Sequence, residues 1–208
     1  MKRLSDWCGD NFSGGRITEL SVYKGDTYKL ELEGGQTFFI NCAIVADYDL
    51  HEGGEMDAEL LEKLQHADKM RKAKKRALYL LGSRMYSYNE LYKKLLPTYG
   101  EEASRAAADA MQEYGYIDDA DYAGKLAEKL IHGKHYGMSK TRWEMQSRGL
   151  DKNLIEDILA EYTDDEIDEE IMRLLRTKYA EKLSDPDPVI PDRGKHRLQG
   201  FRIRTAHE

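Results

Sequence analysis

Residues 69–114 read KMRKAKKRALYLLGSRMYSYNELYKKLLPTYGEEASRAAADAMQEY, and residues 118–162 read DDADYAGKLAEKLIHGKHYGMSKTRWEMQSRGLDKNLIEDILAEY. Each stretch resolves into three short amphipathic helices, and a third copy starts near Asp164 and is cut short. A helical unit of about 50 residues in tandem predicts an array in which no unit buries its apolar face alone. In the first copy, Met70, Ala73, Ala77 and Leu80 form one apolar stripe, three and four residues apart. Gly82 ends that helix. Ser87 starts the next with Glu90 three residues on, the pattern of a capping box. Leu91 and Leu95 are its buried stripe, and Pro97 closes it. Ala103, Ala107, Ala110, Met111 and Tyr114 follow on a third helix, whose small residues allow close helix packing. Gly115 is the expected left-handed stop.

The second copy follows the same plan. Asp118 or Asp119 caps a helix through Tyr122, Leu126 and Leu130. A glycine-bearing stretch, Gly133 to Gly137, stops it. Met138, Thr141 and Met145 mark the second helix, and Gly149 ends it. Asp151 caps the third, striped by Leu154, Ile155, Ile158, Leu159 and Tyr162. From Asp164 one more helix is expected, through Ile167, Ile171 and Leu174. Pro186, Pro188 and Pro191 then preclude helix.

Upstream the period changes to two. Tyr28, Leu30 and Leu32 alternate with Lys29 and Glu31, and Phe38 and Ile40 flank Phe39. Lys24-Gly25-Asp26 and Glu33-Gly34-Gly35 are the turns. A three-strand meander over residues 16–41 is predicted, too small to stand without the helix behind it. Asp57 caps a short helix through Leu60, Leu61 and Leu64. The expected architecture is therefore mainly α, with tandem three-helix repeats in an elongated array and a small N-terminal β-meander lobe. Its divisions are a flexible tail at 1–15, the meander with a short helix at 16–67, repeat one at 68–117 and repeat two at 118–163. A shortened repeat three with a basic tail occupies 164–208.

Charged residues make up 34% of the chain and apolar residues 40%, a composition with little apolar surplus. No stretch approaches the roughly 20 apolar residues of a membrane span, and no signal-peptide pattern follows Met1. Cys8 and Cys42 lie in unlike contexts, which fits two reduced thiols and a cytoplasmic location. The net charge of −7 is unevenly spread: residues 1–67 carry −7, residues 68–160 carry +3, and the remainder −3. Lys69, Arg71, Lys72, Lys74, Lys75 and Arg76 fall together with no acid among them. Cations at helical spacing repel one another, so such a run points to a partner, a polyanion or an acidic surface. Lys72, Lys75 and Arg76 leave the apolar stripe and are candidate contacts. Arg84, Lys134, Lys140, Arg142 and Arg148, at helix ends or on polar faces, are the others. Trp143 and the tyrosines Tyr86, Tyr88, Tyr92, Tyr99 and Tyr136 could stack on bases, though core packing is their commoner use.

His132 and His135 form an H-x-x-H without further ligands, so no metal is expected there. Asp118, Asp119 and Asp121 are better read as helix caps than as a magnesium cluster. No nucleophile–base pair, P-loop or paired-carboxylate constellation is present, which argues against an enzyme and against a cofactor.

The order and spacing of several short motifs carry a family resemblance over roughly residues 16–183. They are Ser87-x2-Glu90-Leu91-x2-Lys94-Leu95, Gly115-Tyr116-Ile117-Asp118-Asp119-x2-Tyr122-Ala123 and Glu144-Met145-x2-Arg148-Gly149, with Leu50-x2-Gly53-Gly54-Glu55-Met56 upstream. Together they resemble the bacterial RecX family of recombination regulators, from which the chain departs at Thr141, where an aliphatic residue is usual. The resemblance implies tandem three-helix repeats and an inhibitor of the RecA recombinase. It implies a monomer lying along the groove of the RecA filament on single-stranded DNA, suppressing ATP turnover, strand exchange and coprotease activity. Weak direct contact with DNA is a further expectation; a membrane partner is not. The competing readings are a free-standing DNA-binding regulator with helix-turn-helix-like repeats, and a helical scaffold for unrelated partners.

Overall fold

The computed structural model describes Phe12, residues 14–163, and Met172 with Arg173. Readings that fall on the first eleven residues, on the third repeat or on the basic tail lie outside the described residues. The elements run β1 (Gly15–Lys24), β2 (Thr27–Leu32), β3 (Thr37–Asn41), α1 (Cys42–Asp47), β4 (Glu55–Met56) and α2 (Ala58–Leu81). Next come α3 (Tyr88–Glu113), α4 (Asp119–Glu128), a π turn (Lys129–Gly133), α5 (Met138–Ser147) and α6 (Lys152–Leu159). They form two compact units. Unit one takes the chain up to Tyr79 together with Leu95–Ala107. Unit two takes Leu80–Lys94 and the chain from Ala108 onward.

In unit one the alternation of β2 and β3 puts Leu30, Leu32, Phe38 and Ile40 on a single inner face, all buried. Leu61 and Leu64 of α2 share that core with Ile44, Leu50 and Met56. The sheet does lean on the helix behind it, as a small meander must. It has four strands rather than three, in the order β3-β2-β1-β4, all antiparallel. The added strand is two residues long, Glu55–Met56 on Arg16–Gly15, too short to show a period. The reading of residues 1–15 as a tail is corrected at its end. Phe12 is buried and meets Phe38 edge to face at 5.9 Å, and Gly15 is already strand.

Asp57 caps as expected, its Oδ1 accepting from the Leu60 amide at 2.7 Å. The helix it starts does not stop before the basic run. It continues unbroken for 24 residues to Leu81, because nothing between Leu64 and Lys69 breaks a helix. Asp68, at the join, is buried and holds Arg71 at 3.2 Å and Lys72 at 2.5 Å. The helical stretch α3 contains a true break, but at Gly100 (φ +73°) and not at Pro97, which fits inside the final turn of the first segment. A Cβ at position 100 would adopt a strained backbone and meet the Lys69 ammonium at 3.4 Å.

In unit two the second segment of α3 ends at Gly115, φ +74°, where Tyr116 N–H reaches back to the Met111 carbonyl at 2.9 Å. Nothing lies within 4 Å of a Cβ built there, so Gly115→Val meets only the backbone penalty. A loss of about 1 kcal/mol is expected, and an unchanged urea midpoint would contradict the left-handed geometry. Asp118 caps α4 through Ala120 and Asp121 amides, and Asp151 caps α6 through Asn153 and Leu154. Tyr122, Ala123, Leu126, Leu130, Met145, Ile155 and Leu159 form the core. Thr141 is fully buried with its hydroxyl unpartnered among the described residues. Replacing it by valine, similar in shape but without the hydroxyl, should therefore raise stability by about 1 kcal/mol. A lower melting temperature for Thr141→Val would mean that the hydroxyl has a partner.

Candidate nucleic-acid interface: a cationic cleft in unit two

The first turn of α3 anchors the site. Ser87 Oγ accepts from the Glu90 amide at 3.1 Å and donates to the Arg148 carbonyl at 2.5 Å. Asn89 Nδ2 donates to the Gly149 carbonyl at 2.8 Å, and the Tyr88 amide donates to Asp119 Oδ1 at 2.9 Å. Burial pushes the Asp119 carboxyl above its ordinary pKa, against the opposing effect of that amide. These bonds fix the α5–α6 corner, and with it Arg148, against the start of α3. The capping box is only half made. Glu90 does not return to Ser87 but grips Arg84 with both oxygens, at 2.8 and 3.0 Å. The fork geometry of guanidinium and carboxylate makes this the stronger partner. It raises the Arg84 pKa further above its ordinary value, and the guanidinium also lies 3.6 Å from the centre of the buried Tyr86 ring.

After α4 the helical ladder widens. The Lys134 amide bonds the carbonyl of Lys129, five residues back, at 3.0 Å. His135 follows at φ +55°, a left-handed conformation uncommon without glycine. A π turn inserts one residue into the helical repeat, so it re-aims the side chains beyond it. The result is a cleft of about 250 Å³ whose lining includes Arg84, Lys125, Lys129, Lys134 and Arg148 and, among the described residues, no acid. Met85, Tyr122, Leu126 and Leu130 complete it. Two of the five cations are neutralised nearby, Arg84 by Glu90 and Lys125 by Asp121 at 2.7 Å. Lys129, Lys134 and Arg148 have no carboxylate in ion-pair range among the described residues. Arg148 donates to the Tyr122 hydroxyl at 3.3 Å, and Lys134 lies 5.5 Å from the Tyr136 ring centre.

Of the eight cations singled out in the sequence, the cleft gathers three: Arg84, Lys134 and Arg148. Lys140 lies apart on the Tyr136 ring, at 3.9 Å. Arg142 is forked onto Glu156 at 2.7 and 2.9 Å. Lys75 and Arg76 are exposed on α2 in unit one, Arg76 lying 5.1 Å from the Tyr79 ring centre. Lys72 is not a free cation, since Asp68 holds it; the acid sits one residue before the run and escapes a count that begins at Lys69. Lys125 and Lys129 were not singled out. Their spacing of four, from α4 to the first residue of the π turn, is a helix-face signal, but only the π turn brings Lys134 to the same wall. Of the aromatic candidates, Trp143 is exposed and Tyr86 is buried. Tyr88 donates to Asp109 at 2.6 Å. No group of three metal-ligating side chains occurs among the described residues, and no described helix is long and apolar enough to cross a membrane.

No family model matches the chain. Its similarity is to proteins named regulatory protein RecX. That of Leuconostoc citreum is 30% identical over 172 residues, 81% of this chain and 62% of that protein. One from Clostridium botulinum is 28% identical over 148 residues, 70% of this chain and 69% of the relative. That of Bacillus pumilus is 25% identical over 189 residues, 88% of this chain and 71% of the relative. The chain thus spans about two thirds of the length of these relatives. A crystal structure of regulatory protein RecX matches with a TM-score of 0.67 at 22% identity, over 88% of this chain and 90% of that one. RecX from Lactobacillus salivarius matches at 0.52 and 21% identity, over 66% of this chain and 91% of that one. These two structures bear on the fold. Over most of its length, including the motifs at Ser87–Leu95, Gly115–Ala123 and Glu144–Gly149, the chain is similar to proteins named regulatory protein RecX.

Proposed function

We propose that this protein is a negative modulator of the RecA recombinase. It acts without catalysis, as a monomer of tandem three-helix repeats lying along the groove of the RecA filament on single-stranded DNA, in the cytoplasm. In this reading it suppresses ATP turnover, strand exchange and coprotease activity by occupying neighbouring protomers. The observation that carries the reading is the segregation of charge in a chain of net −7. The exposed cations Lys74, Lys75 and Arg76 lie on one helix, and a cationic cleft with no acid among its described lining residues lies in unit two. Local positive surface on an acidic protein suits a protein-coated polyanion better than bulk DNA, toward which the net field does not steer it. Similarity to proteins named regulatory protein RecX supports it as well. The test is titration of the full chain into a RecA ATPase assay on single-stranded DNA. Suppression well below one molecule per protomer is expected. An indifferent ATPase, with sequence-selective binding of naked duplex, would replace this reading with a free-standing DNA-binding regulator.

A further inference from the structure

We propose that the cleft of unit two is a seat for consecutive phosphates of a single-stranded nucleic-acid backbone, held by Lys129, Lys134 and Arg148. The proposal rests on the reading above for the presence of a DNA strand, and on the cleft alone for its chemistry. Three cations that lack carboxylate partners among the described residues converge there from three places: the π turn, the loop after it, and the end of α5. Like charges held together repel, so the arrangement favours an anion with several acceptor oxygens. A lone carboxylate would be satisfied by one arginine fork, as Glu90 and Glu156 already are in this chain. Consecutive phosphodiesters supply acceptors to several cations at once.

Two further observations bear on the same cleft. Its wall contains the π turn, and His135 next to it sits at φ +55°. Such departures from regular backbone carry a cost on the order of 1–3 kcal/mol and concentrate at functional sites. Here they have a visible result, the placing of Lys134 beside Lys129. The cleft volume of about 250 Å³ is also informative. That is room for phosphate groups, which the three cations engage without reading a base edge. Binding is then blind to sequence. A single strand bends to follow a concave wall. A duplex, stiff over about 150 base pairs, is convex and touches only the rim.

The experiment is fluorescence anisotropy of the full chain with a labelled oligothymidylate across a salt series, without recombinase. Each phosphate contact contributes about −0.7 to the slope of log affinity against log salt. Lys129→Glu with Lys134→Glu should weaken binding at least about tenfold and flatten the slope by about 1.4. Both side chains are exposed, so melting should be unchanged. Lys129→Gln with Lys134→Gln, which introduces no repulsion, should flatten the slope in the same way. Wild-type affinity and slope in these variants would overturn the proposal. So would equal competition by polyglutamate, which would make the cleft a protein-binding surface, or equal affinity for duplex. If the strand binds as expected but RecA ATPase is indifferent to the protein, the functional reading fails and the phosphate seat stands. If ATPase is suppressed and the cleft variants still bind the strand normally, the reverse holds.

Discussion

Replacing Gly149 by alanine should cost unit two about 2–4 kcal/mol, the sum of two separate penalties. The first is backbone: Gly149 has φ +77°, where a side chain costs about 1 kcal/mol. The second is contact. An added Cβ would lie 2.8 Å from the Asn89 Cβ and 3.4 Å from the Glu90 amide nitrogen. The Asn89 Cβ sits on the first turn of α3, so it cannot swing away as a side-chain end could. Crowding of this kind typically costs about 1–3 kcal/mol. Gly115→Ala is the control, with nearly the same φ and open space around it. Urea melts of the two variants should differ by the contact penalty alone. If Gly149→Ala fell no further than Gly115→Ala, the start of α3 would not sit against that corner. Asn89→Gly should restore part of the loss, since it removes the atom that is struck.

Charge reversal of Lys74, Lys75 and Arg76 together should abolish the proposed suppression of RecA ATPase while leaving helicity and melting nearly intact. All three are exposed on α2, and among the described residues their one side-chain interaction is Arg76 with the Tyr79 ring, worth about 0.5–1 kcal/mol. Reversal replaces attraction to an acidic or phosphate surface with repulsion, and the wild-type effect should itself weaken as salt rises. Lys72 must be left out of this set. Lys72→Glu would place a carboxylate against the buried Asp68, which already serves Arg71 as well, and so would confuse lost binding with lost stability. A triple variant that suppresses ATPase at wild-type concentration would exclude this helix face.

The parts of the fold legible in the sequence are those set by local rules. The turns at Gly25 and Gly35, the caps at Asp57, Asp118 and Asp151, and the left-handed Gly115 depend on neighbours within four residues. What was not legible depends on distant partners or on too few residues. Strand β4 has only two residues, and α1 has only six. The unbroken α2 contradicts a boundary placed at a charge step, because charge patterning does not end a helix that has no breaker. Glu90 fits a capping box in sequence, yet Arg84 offered it a fork. At Gly149 the sequence showed a helix stop but not the Asn89 Cβ that makes the glycine necessary. The cationic wall was half legible. Arg84, Lys134 and Arg148 stand at helix ends, while the π turn that sets Lys134 on one wall with Lys125 and Lys129 is announced by no periodicity.

The bonds from Ser87 to Arg148 and from Asn89 to Gly149 span 61 and 60 residues, and this has a consequence during synthesis. A ribosome adds about 5–20 residues per second, so the start of α3 emerges roughly 3–12 s before its acceptors exist. Through that interval the first turn of α3 can form but cannot be locked in place. The earliest point at which unit two closes is therefore set by the appearance of Gly149. A nascent chain arrested before that residue lacks Leu150, Ile155 and Leu159, and so should expose Leu126 and Leu130 of the same core, apolar side chains of the kind that general chaperones hold.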